Sequence, residues 1–298
     1  FIPAARTVGS GTMVFNFGQD STFSGAKPMG AYTDDNSIGN FQYAPPTGYL
    51  ALCTANLPTP SIVDGSEHFT PYIYTADNTA PKSRTGLGFA PDLLWFKDRT
   101  TAFSHNIYDT VRGVNKGLQT NNTIAENSYT LLPSFDADGF TTGTDGTAGT
   151  LLNYSTDAYV AWSWKAGGTP TAAFTGSAQI IPNGTDTVEL KANLTTTNQS
   201  GHSFIMYAFH SVEGYSKAGS YVGNGSTDGT FVYTGFRPSF VLIKSYTGGY
   251  DWVMDDAARS PYNEGNATLF PNASSTEYTG GAYGIDFLSN GFKPRTTY

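Results

Sequence analysis

The sequence has few charged residues, one cysteine and no long apolar run, and each scarcity excludes a class of protein. Only 13% of the 298 residues are charged, against about 25% in an average globular chain, while aromatics reach 14%. A disordered chain needs the opposite balance. A single cysteine excludes a disulfide framework. The apolar stretches are far shorter than the roughly 20 residues that span a bilayer, so membrane insertion is not expected.

Positive charge is also scarce. The chain carries 16 Lys and Arg against 24 Asp and Glu, which gives a net charge of -8 and an isoelectric point near 4.8. A nucleic-acid-binding protein needs a basic stripe that neutralises phosphates, and an anionic membrane surface attracts the same kind of stripe. We therefore expect neither partner.

Known metal and cofactor motifs are missing as well. The four histidines never occur at metal-binding spacing, and the sequence contains no phosphate-binding or dinucleotide-binding glycine motif. Asp136 and Asp138 resemble the start of a calcium loop, but Phe140 and Thr147 occupy positions where that loop needs oxygen ligands. A turn is the favoured interpretation, and we expect no metal and no cofactor.

Paired carboxylates could indicate a glycosidase, with Asp34–Asp35, Asp251 and Asp255–Asp256 as candidates. Adjacent residues usually project in different directions, and Asp256 has Arg259 three residues away as a natural partner. Structural use is therefore favoured, and we expect no enzymatic activity.

Short runs of β-branched and aromatic residues alternate with turn residues along the whole chain. Gly, Pro, Asn and Asp clusters recur about every ten residues, which is typical of β-sandwiches and barrels. Apolar spacing of three and four is almost absent, with brief helical candidates only at 109–112 and 255–259. The fold class is therefore predicted to be all-β, and strands are expected at 72–74, 93–96, 159–164, 204–209 and 240–243.

Internal repetition is the strongest signal in the sequence. Residues 88–97 reappear as 235–244, and Asp109-x-x-Arg112 reappears 147 positions later as Asp256-x-x-Arg259. Five blocks recur in the same order with only short changes of offset. One antiparallel, jelly-roll-like β-sandwich module is therefore predicted to occur twice, and the two copies are expected to share one topology.

The repeats divide the chain into four predicted parts. Residues 1–62 are read as the end of a preceding sandwich and a linker, and residues 63–168 as the first module. A Thr/Asn-rich connection with a strand follows at 169–214, and the second module covers 215–298. A strand predicted at 12–17 has no partner, and the second module has no closing strand after its last turn. We therefore expect the polypeptide to extend beyond both ends.

Cys53 has no second cysteine with which to pair. It follows Leu50-Ala-Leu52 in a strand-like run, so it is predicted to be a buried free thiol that packs as a small hydrophobe.

Several of these motifs resemble a repeated module of tailed-phage virion proteins, especially those of marine phages. The resemblance rests on residues 88–97, on the Asp-x-x-Arg-Gly and Asp-Gly-Phe motifs, and on 159–167 and 212–226. Residues 15–58 resemble the end of a SPRY-like, concanavalin-type sandwich that often precedes such modules. The Thr/Asn-rich stretch at 168–202 departs from the pattern.

The resemblance implies a structural protein on the virion surface, in a tail fibre, a capsid fibre or another appendage that contributes to host attachment. The implied partners are further copies of the chain, with a trimer favoured, other virion proteins and a host-surface glycan. Two alternatives stay open. The first is a capsid decoration or cement protein without a ligand, and the second is a carbohydrate-active enzyme such as a glycan depolymerase.

A candidate glycan site follows from what the second module has and the first lacks. Aromatic faces next to amide and carboxylate groups suit the C–H faces and hydroxyls of sugars. The alternative is that Trp252 packs into the core and the tyrosines line a sheet rim. The predicted ligand-binding residues are Tyr246, Tyr250, Asp251, Trp252, Tyr262 and Asn263.

Overall fold

The computed structural model describes residues 22, 25–51, 53–56, 59–143, 152–166 and 199–297, and the backbone of 180–182 and 188–190. Two compact units are present, Phe1–Pro60 and Ser61–Tyr298. The strand predicted at 12–17 lies outside the described residues. Within them, no helix has the length and apolarity needed to cross a membrane.

The described part of Phe1–Pro60 is organised around the carboxylate of Asp34. This carboxylate accepts hydrogen bonds from the backbone N–H groups of Asn36, Ile38 and Ala51 at 2.8–3.0 Å and from the Asn56 side chain at 2.7 Å. Burial opposes ionisation, but these hydrogen bonds outweigh it and lower the pKa of Asp34.

The prediction that Cys53 is buried is wrong, because its side chain is exposed. The described residues on either side of it form no strand. The Cys53 carbonyl instead accepts a hydrogen bond from the backbone N–H of Asn56, which closes a 3-10 helix at Thr54–Asn56. Residues two apart share a face only in an extended strand, so the turn lets Ala51 be buried while Cys53 is exposed.

The first module follows a short 3-10 helix at Gly65–Glu67 and contains two antiparallel sheets. The larger sheet has the order β1-β7-β3-β4 and the smaller one β2-β6-β5. The strands are β1 (Phe69–Thr75), β2 (Lys82–Thr85), β3 (Leu93–Asp98), β4 (Asn106–Asp109), β5 (Ser134–Asp136), β6 (Gly139–Thr142) and β7 (Ala158–Trp164).

A two-stranded hairpin of β8 (Ile180–Pro182) and β9 (Val188–Leu190) precedes the second module. The second module again has two antiparallel sheets, β11-β12 and β10-β14-β13. Its strands are β10 (Val232–Tyr233), β11 (Phe240–Ile243), β12 (Val253–Asp256), β13 (Ile285–Leu288) and β14 (Gly291–Pro294).

The predicted duplication is confirmed by strand order and register. The β3-β4 pair corresponds to β11-β12, and the order β2-β6-β5 recurs as β10-β14-β13. The bridge between Ile107 and Leu118 recurs between Met254 and Leu269, with both backbone hydrogen bonds formed in each copy. The all-β fold class is likewise confirmed.

Three apolar clusters hold Ser61–Tyr298 together. The first lies between the two sheets of the first module and includes Leu94, Phe96 and Phe140. The third lies between the two sheets of the second module, around Val241 and Phe287. Each module is therefore a β-sandwich, with one face of each sheet in its core.

The second cluster joins the two modules. Side chains alternate along β7, so Tyr159 and Ala161 enter the first core while Val160 and Trp162 point to the opposite face. On that face Trp162 packs with Met254 and Leu269 of the second module. The central strand β7 is therefore covered on both faces, which explains why its sequence is a nearly continuous apolar run.

Two local predictions are wrong. Residues 109–112 and 255–259 form turns rather than helices, because Oδ1 of Asp109 and of Asp256 accepts a backbone N–H three residues later. Residues 204–209 are not a strand in the described structure. The strands predicted at 72–74, 93–96, 159–164 and 240–243 are present.

Candidate functional site

A cleft of 2060 Å³ opens within Ser61–Tyr298. Its apolar walls include Trp95 and Trp164 on the outer face of the first module and Phe240 on β11. Residues 204–209 and the loop between β11 and β12 also contribute to the lining. Residues 245–252 of that loop are called the aromatic loop below.

The aromatic loop presents its rings to solvent. The exposed fractions are 82% for Tyr246, 65% for Tyr250 and 41% for Trp252. The interpretation that Trp252 packs into the core is therefore wrong, since three rings of one short loop are available to a ligand.

Hydrogen bonds fix the loop behind those rings. The Asn272 side chain accepts the backbone N–H of Trp252 at 2.9 Å and donates to Asp251 at 2.7 Å. The Lys244 ammonium donates to the Tyr250 carbonyl, and the Tyr250 ring lies against Gly248. A Cβ at Gly248 would lie 2.5 Å from that ring, so a larger residue there would displace the Tyr250 side chain.

The six predicted site residues do not form one site. Tyr246, Tyr250 and Asp251 line the cleft, whereas Trp252, Tyr262 and Asn263 do not belong to its lining. The Asn263 amide pairs with the backbone of Phe287, accepting its N–H at 2.9 Å and donating to its carbonyl at 3.1 Å. Asn263 therefore anchors its loop to β13, and Tyr262, 84% exposed, stands beside that anchor.

The corresponding loop of the first module is committed to internal contacts. Lys97 is buried and donates to the carbonyl of its neighbour Asp98 at 2.5 Å. Burial lowers the pKa of Lys97 to about 8. The Arg99 side chain points away from the loop and forms hydrogen bonds with Glu277 of the second module. This loop has no exposed aromatic face, which is why the two copies differ in what they offer a ligand.

A network of buried charges lies between the modules. Arg259 bonds Asp256 at 2.5 Å and Glu277 at 2.9 Å, and Arg99 holds the same Glu277 through two bonds of 2.7 and 2.8 Å. Trp162 of β7 donates to Asp256 at 2.9 Å. Burial raises the pKa of Glu277, but the two guanidinium groups outweigh it, so its pKa is below the ordinary value.

A similar network lies around Arg112 in the first module. Arg112 bonds Asp109 at 2.6 Å, Glu126 at 3.0 Å and the carbonyl of Ile107 at 3.2 Å. Tyr207 donates to Asp109 at 2.7 Å, in the role that Trp162 has at Asp256. The predicted Asp–Arg pairs are confirmed, whereas the two glutamates and the aromatic donors were not found from the sequence.

Two further titratable groups are buried near this network. Burial raises the pKa of Asp255 to about 7, with Thr268 donating to its Oδ1 at 2.8 Å. Burial, followed by the charge of Lys97, lowers the pKa of His105 to about 3, so its ring is neutral and accepts from the Trp95 indole at 2.9 Å. Between about pH 3 and pH 7 both side chains are therefore uncharged, so neither places a charge in the apolar interface.

The carboxylates that the sequence offers as candidates for calcium or glycoside chemistry accept hydrogen bonds from other groups of the protein. Asp138 accepts from the backbone N–H groups of Gly86 and Gly88, and Asp136 accepts from the hydroxyls of Ser134 and Thr141. Asp34 accepts four N–H donors. Throughout the described ranges no group of three metal-binding side chains occurs.

The comparisons with known proteins point to one family. A family model described as a domain of unknown function, DUF7483, matches residues 64–183 and again residues 171–298. The two matches reproduce the duplication seen in the strand order. Comparison with curated proteins and with solved structures gives no match. Since the two matches together span most of the sequence, the chain belongs to the DUF7483 family.

Proposed function

We propose that this chain is a structural component of a tailed-phage virion, in a fibre or another surface appendage, and that its second module binds a host-surface glycan. The observation that carries the proposal is the aromatic loop, in which three exposed rings stand on a loop fixed by hydrogen bonds. The virion location rests on the sequence resemblance alone.

The chemistry of the loop suits a sugar. Tyr246 and Tyr250 offer apolar faces for sugar C–H groups, and Asp251 supplies a carboxylate for hydroxyls. A ring stacked on a sugar contributes about 1 kcal/mol, so one copy binds weakly. Attachment then depends on several copies held together, because linkage raises the effective concentration without new contacts. We propose a homo-oligomer for this reason, with a trimer favoured.

The arrangement of the carboxylates favours a structural role over the enzymatic alternative. A glycosidase needs two carboxyl groups facing each other across a sugar about 5–10 Å apart. Asp256 is instead held by Arg259 and Trp162, and Asp34 by four N–H donors. The polar contacts of these side chains serve the fold.

Binding to host-cell polysaccharide tests the glycan part of the proposal. We expect the Tyr246→Ala/Tyr250→Ala variant, displayed as an oligomer, to lose at least about tenfold in apparent affinity. Tyr262→Ala is the matched control, because it removes an equally exposed tyrosine outside the cleft. Unchanged binding by the double variant, or equal loss in the control, contradicts the site.

Electron microscopy tests the location separately. Gold-labelled antibodies against this chain should decorate an appendage of intact phage particles. Labelling confined to the head shell supports the decoration-protein alternative, and absence of label contradicts a virion surface location.

A further inference from the structure

β11 of the second module has one strand neighbour where its counterpart in the first module has two. β3 pairs with β4 on one side and β7 on the other, whereas β11 pairs with β12 alone among the described residues. An open edge presents unpaired N–H and C=O groups that accept another strand. The missing neighbour of β11 is the counterpart of β7.

Residues 204–209 have the sequence pattern of β7. Aromatic side chains occupy the first, fourth and sixth positions of residues 159–164 in β7 and of residues 204–209. They are Tyr159, Trp162 and Trp164 in β7 and Phe204, Tyr207 and Phe209 in the second segment. Exposure alternates from Phe204 to Ala208, with Phe204, Met206 and Ala208 exposed and Ile205 and Tyr207 half-buried, whereas Phe209 is 64% exposed. This alternation is what a strand with one covered face displays.

The segment also lies where the missing strand would begin. The Trp164 ring contacts Phe209 at 6.0 Å and Phe240 at 5.8 Å between centroids. In the first module Trp164 is paired directly with Leu93, and Leu93 corresponds to Phe240 in the repeat. Phe209 and Phe240 therefore contact the same ring, and in the repeat they have the sequence positions of the paired residues Trp164 and Leu93.

Reciprocal hydrogen bonds also identify residues 204–209 as the counterpart of β7. Trp162, fourth in the β7 pattern, donates to Asp256 of the second module. Tyr207, fourth in the pattern of 204–209, donates to Asp109 of the first. Asp109 and Asp256 are repeat equivalents, so each module receives an aromatic donor from the closing-strand sequence of the other. This is the relation expected of two sandwiches about a local two-fold axis.

We propose that the free edge of β11 is a strand-docking site and that its occupant is residues 204–209 of the same chain. In the docked arrangement, the segment runs antiparallel to β11. Phe209 is then opposite Phe240 and Ala208 is opposite Val241, as Ser163 lies opposite Leu94 in the first module. Met206 then lies opposite Ile243, on the face of the second core. The docked strand extends the β11-β12 sheet to three strands and fills part of the cleft, independently of any glycan.

Engineered disulfides test the register. In a Cys53→Ser background, Ala208→Cys/Val241→Cys places two thiols at directly opposed positions, where a cross-strand disulfide is sterically allowed. Ser163→Cys/Leu94→Cys is the matched positive control in the existing β7–β3 pair. Ala208→Cys/Leu242→Cys is the off-register control, because a shift by one residue puts the thiols on opposite faces.

Docking predicts an intramolecular disulfide in the 208/241 variant at a rate within about tenfold of the 163/94 control, and little in the 208/242 variant. A disulfide-linked dimer would assign the site to the strand of a second copy and overturn the proposal. Two free thiols after oxidation, both labelled once the chain is denatured, would also overturn it.

Hydrogen exchange on the unmodified chain provides a readout that no substitution can disturb. The amides of residues 204–209 should exchange about 100-fold or more slowly than in an unstructured peptide, with protection comparable to that of β7. Exchange at the rate of an open loop contradicts the docked strand.

Discussion

At the scale of single residues, Asp255 is a carboxyl group that the fold removes from water. It is 2% exposed, and burial, reinforced by the charges of Asp256 and Glu277, raises its pKa from 3.8 to about 7 against the opposing effects of Thr268 and Arg259. Between these values the folded chain holds a proton that the unfolded chain has lost. This bound proton stabilises the folded chain relative to the unfolded chain. The stabilisation is fully present below about pH 3.8 and is lost as the pH rises through about 7.

Asp255→Asn removes this pH dependence while keeping an oxygen that accepts from Thr268. We expect the variant to gain stability relative to the parent as the pH rises from 4 to 8, by up to about 4 kcal/mol in the free energy of unfolding. Urea unfolding at four or five pH values measures the difference. A gap that stays constant with pH contradicts the raised pKa.

Arg259 and Arg112 offer a matched comparison between repeat equivalents. The Arg259 side chain is fully buried, while that of Arg112 is 13% exposed. Arg259→Met leaves Asp256 and Glu277 without their shared partner in a dry interface and should cost about 3–5 kcal/mol. Arg112→Met should cost about 1–2 kcal/mol, because Glu126, one of its two carboxylate partners, is 35% exposed to water. Equal losses in denaturant unfolding contradict the difference in burial.

At the scale of elements, each module depends on a glycine where two strands turn. A Cβ on Gly139 would lie 1.9 Å from the Arg84 carbonyl oxygen, and one on Gly291 would lie 2.1 Å from that of Val232. Gly139→Ala and Gly291→Ala should each destabilise the chain by about 1–3 kcal/mol. Gly249→Ala is the control, since its Cβ meets nothing within 4 Å. Thermal unfolding distinguishes the outcomes, and a harmless Gly139→Ala contradicts the close approach.

The elements that the sequence predicted correctly are those whose signal is local. β3, β7 and β11 can be recognised from their apolar runs. The repeat then predicts that strands paired in one module have paired counterparts in the other. The Asp–Arg pairs were also predictable, since three residues separate the partners.

What could not be predicted depends on residues far apart in the chain. Glu277 meets Arg99 across 178 positions, and Trp162 meets Asp256 across 94. The exposure of Cys53 depends on a turn that competes with a strand-like run. The sequence also could not show that Tyr246 and Tyr250 line one cleft while Asn263 is bound to the backbone of Phe287.

At the scale of the whole molecule, the two modules are joined by an interface that carries charge as well as apolar surface. Trp162 and Met254 supply its apolar part, and Arg99 crosses it to Glu277. Thr120 also donates to the Pro271 carbonyl at 2.5 Å, and the Glu277 backbone N–H donates to the Arg99 carbonyl at 3.0 Å. Contacts of this kind make each module part of the folded environment of the other.

A double-mutant cycle on Arg99 and Glu277 measures this coupling. The Arg99 and Glu277 side chains are 20% and 10% exposed, and two hydrogen bonds of 2.7 and 2.8 Å fix their geometry, so Arg99→Gln and Glu277→Gln should show a coupling energy of about 1–3 kcal/mol. The exposed Lys116–Glu126 pair within the first module is the control, with a coupling below about 1 kcal/mol. Calorimetry should give one transition for both modules that shifts as a unit in each variant. Two transitions in the parent chain, or a coupling no larger than the control, would mean that the modules fold independently and that the buried charges only fill their interface.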